Sequence, residues 1–328
     1  MPPVARKIIA AATVLTAVAL VAGCGGSDDG TGSRNKPAPP VADFPAPNGR
    51  SLQEVLVAAS SGQQGPVVSP AAAMFYVGTN RFPFGVFTAG LDQITDAEVA
   101  IYAAPGGDGQ GRAIGPFPAR IDDLTTKPAF RAKTTADDPG AAQVAYVSDV
   151  PLDKRGPWSF GALIKDGDTY RYSLLPTPHP VGEYTPPRVG EKAPVVHTPT
   201  AGEVSEISQI DTRVPPDDMH DDDLADVLGR EPVVLLFATP ALCQSRVCGP
   251  VTDITQQVKQ AYGDRVAFIH QEVYNNNQIN DGPRPQMTAY GLQTEPWLFV
   301  IDRSGKVSTI LQGPFSVGEL ETAVQKVA

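Results

Sequence analysis

The amino-acid sequence changes its texture at Pro186-Pro187, and this change constrains the fold more than any other feature of the chain. Before this point, short runs rich in Val, Ile, Phe and Tyr alternate with clusters of Gly, Pro and Asp, a pattern typical of an all-β domain. After it, apolar strand-like runs alternate with segments of helical periodicity, a pattern typical of an α/β domain. The 328 residues are enough for two domains, and we predict one of each class.

The predicted all-β domain spans residues 65–185. Its candidate strands lie at 74–77, 84–88, 98–103, 142–148, 158–165 and 169–174. The last two flank Asp166-Gly167, a dipeptide that favours a tight hairpin. These short strands predict an immunoglobulin-like sandwich without an inter-sheet disulfide, because the segment contains no cysteine. Its sequence shows no catalytic constellation, so we interpret the domain as a spacer or as a docking surface for a partner.

The predicted α/β domain spans residues 190–328. In chain order it is expected to contain a strand at 233–238, a helix at 251–261, strands at 266–270, 297–302 and 306–311, and a terminal helix at 317–327. A βαβ unit that is followed by a hairpin and a helix predicts a mixed sheet covered by helices on both faces.

The first residues have the pattern of an exported bacterial protein. Arg6 and Lys7 precede fifteen uncharged residues at 8–22, a run too short to span a bilayer, which needs about 20 residues. The run ends in V-A-G-C at 21–24, which resembles the lipobox of bacterial lipoproteins. The resemblance implies that residues 1–23 form a signal peptide and that the next residue, Cys24, is lipidated. The protein would then be anchored to the outer face of the cytoplasmic membrane.

Residues 24–64 are predicted to form a flexible tether between this anchor and the folded body. Gly, Ser, Asp, Asn and Pro dominate residues 25–47, and segments of this composition behave as linkers. A short helix is expected near 52–60, since S-L-Q-E at 51–54 has the capping-box pattern.

Two segments of the C-terminal region resemble thioredoxin-like proteins. V-G-E-K-A-P at 189–194 is similar to the opening of redoxin-type lipoproteins. The apolar strand at 233–237 leads into a loop that holds Cys243 and Cys248, as the redox strand of thioredoxins does. The loop A-T-P-A-L-C-Q-S-R-V-C-G-P at 238–250 resembles that of bacterial lipoproteins with an N-terminal β-sandwich and a thioredoxin-like domain.

A third segment resembles the half of thioredoxin that carries the cis-proline. It reads E-P-W-L-F-V-I-D at 295–302 and is followed by Gly305 and Gly313. The chain thus resembles a bacterial lipoprotein with a thioredoxin-like (redoxin) domain over about residues 190–328. The resemblance implies thiol–disulfide exchange by the cysteine pair, with Pro296 in a cis peptide bond holding the substrate backbone.

The cysteine spacing departs from the C-x-x-C of thioredoxins. The chain has C-x4-C, and C-G-P-V at 248–251 reads like C-G-P-C with its second cysteine replaced by Val251. Either Cys243 attacks a substrate as the N-terminal cysteine, or Cys248 attacks and Cys243 is displaced upstream. The sequence leaves both assignments open.

Charges and a predicted helix start should tune the reactivity of the pair. A thiolate attacks a disulfide, and it is favoured at a helix N-terminus and beside a cation. Gly249-Pro250 suits the start of a helix, and Arg246 lies between the two cysteines. Glu295 would disfavour a thiolate if its carboxylate packs beside the loop. We therefore expect Arg246 and Glu295 to act in opposite directions.

Three other interpretations of the pair are open. A static disulfide in a non-catalytic binding or scaffold lipoprotein would close a ring of six residues, which chain entropy favours by only roughly 2 kcal/mol. A peroxiredoxin-like peroxidase is less favoured, because its motif needs Thr or Ser where this chain has Pro240. A Cu(I) chaperone is less favoured because a third ligand beside the two thiolates is missing.

No cofactor and no metal ion is expected. The run D-D-M-H-D-D-D at 217–223 lacks the glycine and the spaced ligands of a calcium loop, and we interpret it as the solvated start of a helix. His270 is expected inside a strand. With 26 basic and 36 acidic residues, the net charge of −10 argues against nucleic-acid binding. The expected partners are protein thiols and disulfides, and the membrane through the lipid anchor.

Overall fold

The computed structural model describes Met1, residues 34–175 and residues 178–328. Residues 2–23 of the predicted signal peptide and the predicted lipidation site Cys24 lie outside the described residues. Across the ranges that are described, no helix is both long and apolar enough to cross a membrane. Arg34–Ala328 form one compact unit.

The first described segment packs on the body, which differs from the flexible tether predicted over 24–64. Helix α1 (Leu52–Ser60) begins with the predicted capping box. Ser51 Oγ accepts a hydrogen bond from the Glu54 N–H at 3.3 Å, and the Ser51 N–H donates to Glu54 Oε2 at 2.8 Å. Apolar side chains explain the packing, because they join later residues in one buried cluster: Phe44, Leu52, Val55, Leu56, Ala100, Tyr102 and Leu163.

The residues after α1 form two antiparallel sheets. The strands are β1 (Val67–Pro70), β2 (Gly78–Phe87), β3 (Val99–Pro105), β4 (Ile114–Pro118), β5 (Arg120–Asp123), β6 (Val144–Leu152), β7 (Gly156–Asp166), β8 (Thr169–Leu174) and β9 (His179–Val181). The first sheet has the order β1-β2-β6-β5, and the second has the order β4-β3-β7-β8 with β9 paired to β7. A short helix, α2 (Lys133–Ala136), lies between β5 and β6.

Aromatic side chains from both sheets meet in one hydrophobic cluster. Phe82 on β2 and Phe160 on β7 are fully buried, and their ring centroids are 4.8 Å apart. Phe84 stacks on Tyr146 with centroids 5.4 Å apart. A core shared by two sheets is what a sandwich requires, and the immunoglobulin-like character stays a prediction. The predicted hairpin at Asp166-Gly167 joins β7 to β8.

The strand predicted at 74–77 is wrong. Phe75 forms an isolated bridge with Val181, and the chain turns before β2 begins. The Asn80 side chain holds this turn: its amide donates to Tyr76 O at 2.8 Å, and its Oδ1 accepts from the Tyr76 N–H at 3.0 Å. An asparagine side chain that satisfies the backbone locally competes with strand pairing.

The C-terminal region forms the predicted mixed sheet. Its elements are α3 (Leu224–Val227), β10 (Val233–Phe237), α4 (Cys248–Tyr262), β11 (Ala267–Gln271), α5 (Pro285–Ala289), β12 (Trp297–Ile301), β13 (Val307–Gln312) and α6 (Val317–Val324). The strand order is β11-β10-β12-β13, with β10 and β11 parallel and joined by α4. The other pairs are antiparallel.

Helices cover both faces of this sheet, as the sequence predicts. One face packs against residues of α4 and α6, and the other packs against residues of α3 and α5. Since every strand residue of β10 and β12 is buried, these strands read as continuous apolar runs in the sequence.

The first sheet packs on the α4 and α6 layer. Ala145 and Val147 of β6 share a hydrophobic cluster with both helices. Arg81 on β2 and Arg120 on β5 both pair with Glu319 on α6, at 2.7 and 2.8 Å. The all-β region therefore lies directly against the helix that begins at Cys248.

Candidate active site

The loop after β10 brings Cys243 and Cys248 together. Cys248 is the first residue of α4 and is completely buried, whereas Cys243 lies in the preceding turn and is partly exposed. Both are free thiols. The Cys248 N–H donates to Cys243 Sγ at 3.4 Å, and Ser245 Oγ lies 3.2 Å from the same sulfur. Cys243 Sγ is thus placed at the N-terminus of α4, where a thiolate is favoured.

The two thiols have opposite environments. A hydrogen bond from the Cys248 thiol is the main reason why the pKa of Cys243 is lowered to about 7, and it outweighs the effect of burial. Ser245 and the N–H groups of Val247 and Cys248 act in the same direction. Burial raises the pKa of Cys248 well above its ordinary value, and its hydrogen bond with Cys243 adds to this. Cys243 therefore ionises first.

Local sequence fixes the start of α4. Arg246 takes a left-handed backbone conformation (φ 57°), and its N–H donates to Cys243 O at 3.2 Å, which closes the turn before the helix. Gly249 allows a close approach of α2, because a Cβ there would lie 2.8 Å from Thr135 Oγ1 and would force that side chain to shift. Pro250 is tolerated in the first turn, where its missing N–H leaves no intrahelical bond unmade.

Arg246 differs from its predicted role as a cation for the thiolate. Its guanidinium pairs with Asp138 at 3.4 Å, so much of its charge is compensated there. The side chain is 55% exposed, which screens the remainder. The Ala142 N–H also donates to Arg246 O at 3.2 Å. Arg246 therefore links the loop that holds the two cysteines to the all-β region. The Cys243 thiolate is stabilised by hydrogen-bond donors instead of by this cation.

The peptide bond between Glu295 and Pro296 is cis, as predicted, and it lies at the start of β12. Pro296 O accepts a hydrogen bond from the Gly313 N–H at 2.9 Å. Burial raises the pKa of the Glu295 carboxyl. Its charge contributes to the raised pKa of Cys248, so the predicted opposing effect falls on the buried thiol.

Tyr274 also belongs to this site, and the sequence analysis missed it. Burial raises its pKa, and the charges of Glu295 and of both cysteines add to the effect. The signal was its position three residues past the end of β11: the carboxyl ends of parallel strands share one edge of a sheet, so this position faces the loop after β10.

The acidic run at 217–223 is solvated only in part: Asp218 and Asp221 are exposed as predicted, whereas Asp217, Met219 and His220 are buried. Asp217 is 8% and His220 2% exposed, and both face His270, which lies in β11 as predicted. The run folds back onto this strand through a backbone hydrogen bond of 2.9 Å from the His270 N–H. Its end also agrees with the prediction, since Asp223 caps α3 by accepting an N–H of the first turn at 3.0 Å.

The structure does not add support for the Cu(I) chaperone alternative. Within the ranges that the structure describes, the group of potential metal ligands that it brings together contains neither cysteine.

Comparisons with known proteins return distant solved structures. No protein-family model and no curated protein matches the chain. A candidate thiol:disulfide interchange protein DsbE from Chlorobium tepidum is 18% identical, with a TM-score of 0.31, over 43% of this chain and 97% of that chain. A thiol:disulfide interchange protein of the thioredoxin family from Chlorobium tepidum TLS is 20% identical, with a TM-score of 0.30, over 44% and 99%.

A thioredoxin-like superfamily protein is also similar, with 21% identity and a TM-score of 0.27 over 33% of this chain and 85% of that one. At these values the likeness decides nothing by itself. The thioredoxin-like fold of the C-terminal region follows from its own strand order, from the crossover through α4 and from the final hairpin and helix.

Proposed function

We propose that the chain is a thiol–disulfide oxidoreductase in which Cys243 attacks and Cys248 resolves. The asymmetry of the two thiols carries the proposal. Cys243 is partly exposed and its pKa is lowered to about 7, whereas Cys248 is buried and its pKa is raised. An attacking thiol works best when its pKa lies near the ambient pH, and a resolving thiol needs only to reach the first sulfur.

The exchange has two steps. The Cys243 thiolate attacks one sulfur of a substrate disulfide, whose S–S bond breaks, and the other substrate sulfur leaves as a thiolate and takes up a proton. Cys248 then loses its proton and attacks Cys243 Sγ in the mixed disulfide, which releases the second substrate thiolate. The substrate gains two electrons and becomes a dithiol, while the pair becomes a disulfide. The reverse sequence oxidises a substrate dithiol.

Glu295 is suited to accept the proton of Cys248. Burial raises the pKa of this carboxyl, and its charge acts on the Cys248 thiol. A carboxyl group with a raised pKa exchanges protons more readily near neutral pH than an ordinary one. Pro296, the next residue, would hold the substrate backbone, as the resemblance to thioredoxins implies.

The all-β region would help to bind the substrate. A groove of about 470 Å³ lies between the cysteine loop and the first sheet, and Gln244, Val247 and Phe87 line it. Leu91, also in the lining, is 77% exposed, and Val67 on β1 is 48% exposed. Exposed apolar side chains next to a reactive thiol suit an extended segment of a partly folded substrate protein.

Trapping tests the proposal. In a chain with Cys24→Ala, Cys248→Ser should accumulate a mixed disulfide between Cys243 and a disulfide-bonded substrate protein, because no resolving thiol remains. The matched variant Cys243→Ser should neither reduce the substrate nor trap it. If neither variant traps a partner, and the wild-type bridge has a potential far below about −300 mV, the scaffold alternative with a structural disulfide replaces this proposal.

We also propose that the protein is lipid-anchored through Cys24 on the outer face of the cytoplasmic membrane. The uncharged run at 8–22 and the V-A-G-C pattern at 21–24 support this. Cys24→Ala should release the protein from membranes or leave the precursor uncleaved, whereas Cys243→Ala should change neither. Unchanged membrane partition and processing of Cys24→Ala would contradict the anchor.

A further inference from the structure

A buried cluster of two aspartates and two histidines lies beside β11. Asp211, Asp217, His220 and His270 each bring one potential ligand atom to within 4.8 Å of the others, and all are 8% exposed or less. His220 Nε2 lies 3.3 Å from Asp217 Oδ1 and 3.5 Å from Asp211 Oδ2. His270 Nδ1 lies 2.8 Å from Asp217 Oδ2 and 4.0 Å from Asp211 Oδ1.

The burial of the His220 imidazole is not explained by hydrogen bonds to the protein. It is 2% exposed, and neither of its ring nitrogens has a hydrogen-bond partner among the described residues. The carboxylate oxygens near Nε2 are close enough but lie off the direction that a ring N–H bond requires. Buried polar groups are nearly always paired, so an unpaired imidazole that faces two carboxylates points to a ligand between them.

His270 is already oriented as metal-bound histidines usually are. Its Nε2 lies 3.2 Å from Ala238 O, so a proton on Nε2 can be donated to this carbonyl. The lone pair of Nδ1 then faces Asp217 and Asp211. A histidine that ligates a metal commonly donates its other ring N–H to a backbone carbonyl, which fixes its tautomer.

The carboxylates are also held in place. Asp211 Oδ1 accepts from the Arg213 N–H at 2.7 Å, and its Oδ2 accepts from the Asp217 N–H at 2.7 Å. The Arg213 guanidinium pairs with Asp253 at 3.0 Å, which leaves the negative charge of the cluster largely uncompensated. The pocket therefore attracts a cation.

We propose that Asp211, Asp217, His220 and His270 bind a divalent transition-metal ion of the zinc type in a closed tetrahedral site. In a tetrahedral site, zinc bonds of about 2.0–2.2 Å imply distances of about 3.3–3.6 Å between ligand atoms. The two separations from His220 Nε2, 3.3 and 3.5 Å, already have this size, and those from His270 Nδ1 need small side-chain shifts. Two neutral imidazoles and two carboxylates balance a charge of +2 and suit this class of metal.

The metal would have a structural role, because four protein ligands leave no open coordination position for a substrate. It would clamp the segment around Asp217 and His220 onto β11. Through His270 it would also hold Ala238, the residue at which β10 passes into the cysteine loop. The metal would thus fix the base of that loop, and this inference does not depend on the proposed exchange reaction.

Zinc binding by the full chain tests the proposal. The background carries Cys24→Ala, Cys243→Ser and Cys248→Ser, so that no thiol can bind the metal, and the protein is first stripped with a chelator. Equilibrium dialysis should then give one Zn²⁺ per chain. His220→Gln should weaken binding by at least about 100-fold, more than the loss of an outer contact to a ligand causes. The control His197→Gln, at an exposed histidine, should bind like the background. Equal binding by background and His220→Gln, or no binding by the background, overturns the site.

X-ray absorption of the zinc-loaded chain with its native cysteines gives a second test that needs no variant at the site. We expect nitrogen and oxygen scatterers from two imidazoles and two carboxylates. Sulfur scatterers, or an octahedral shell of water oxygens, would overturn the assignment. This readout stays decisive if His220→Gln does not fold.

Discussion

The all-β region and the α/β region bury different kinds of side chain. Among the described residues of 65–185, Asp122 is the one charged residue that is buried. Aromatic rings fill the core of this region. The α/β region buries many more such groups: Asp211, Arg213, Asp217, His220, Asp253, His270 and Glu272. Burying a charged group is costly unless it is paired, so a region that keeps many of them is where chemistry is expected.

The two regions should therefore respond differently to substitution. In the all-β region, the loss of a side chain should cost stability through an unfilled cavity and leave the thiols unchanged. In the α/β region, the loss of one partner should leave a buried charge unpaired or change the chemistry of the site.

A large effect on stability, matched only by the loss of a core ring, is expected from Arg213→Met. The Arg213 side chain pairs with Asp253 at 3.0 Å and donates to Phe130 O at 2.7 Å. Its removal leaves a carboxylate buried without its cation, so the free energy of unfolding in urea should fall by about 3–5 kcal/mol. The matched control is Arg171→Met in the all-β region, which breaks an exposed pair and should cost about 0–1 kcal/mol. Equal losses would erase the contrast between the regions.

A substitution in the core of the all-β region should lower the free energy of unfolding without changing the reactivity of Cys243. Phe82→Ala removes a ring packed against Phe75 and Phe160, and we expect a loss of about 3–5 kcal/mol in urea unfolding. The milder Phe82→Leu should cost less and should leave the alkylation rate of Cys243 unchanged. A changed alkylation rate in the folded Leu variant would show that the core of this region tunes the site.

The stability that the interface between the two regions contributes should depend on pH. Burial raises the pKa of Glu319, but Arg81 and Arg120 outweigh it and lower this pKa below 4.5. Since the folded-state pKa is the lower one, the ion pairs stabilise the protein above pH 4.5, and this contribution is lost as the pH falls through the folded-state value.

Glu319→Gln should therefore lower the free energy of unfolding by about 1–3 kcal/mol at neutral pH and flatten its decline in acid. Glu321→Gln on the same helix is the control and should keep the wild-type pH profile. An unchanged acid profile in Glu319→Gln would mean that the two arginines do not hold this carboxylate in solution.

The smallest effect is expected at Glu295. Glu295→Thr removes a charge that disfavours the Cys248 thiolate, so the reduction potential of the pair should rise by on the order of 30 mV or less. Equilibration with glutathione measures it, and the nearby exposed substitution Gln293→Thr serves as the control. A fall in potential would show that Glu295 stabilises the thiolate form instead.

Sequence reasoning located the parts of the site that depend on local pattern. The fully buried strands β10 and β12 appear as apolar runs, and the cysteine loop and the proline at 296 lie at their ends. It failed where a contact joins distant residues. The run at 217–223 reads as solvated because it is acidic, and the burial of Asp217 within it depends on His270, 53 residues further along the chain. Arg246 likewise pairs with Asp138, a partner that spacing along the chain does not reveal.

The asymmetry of the two thiols is most directly tested by their separate titration. The reduced chain with Cys24→Ala is alkylated briefly over a range of pH, and mass spectrometry of the peptides gives a rate for each cysteine. Cys243 should reach half of its maximal rate at a pKa of about 7, while buried Cys248 should stay almost unmodified over the same range. A Cys243 that titrates near the ordinary value of 9.0, or a Cys248 that reacts faster, would contradict the account.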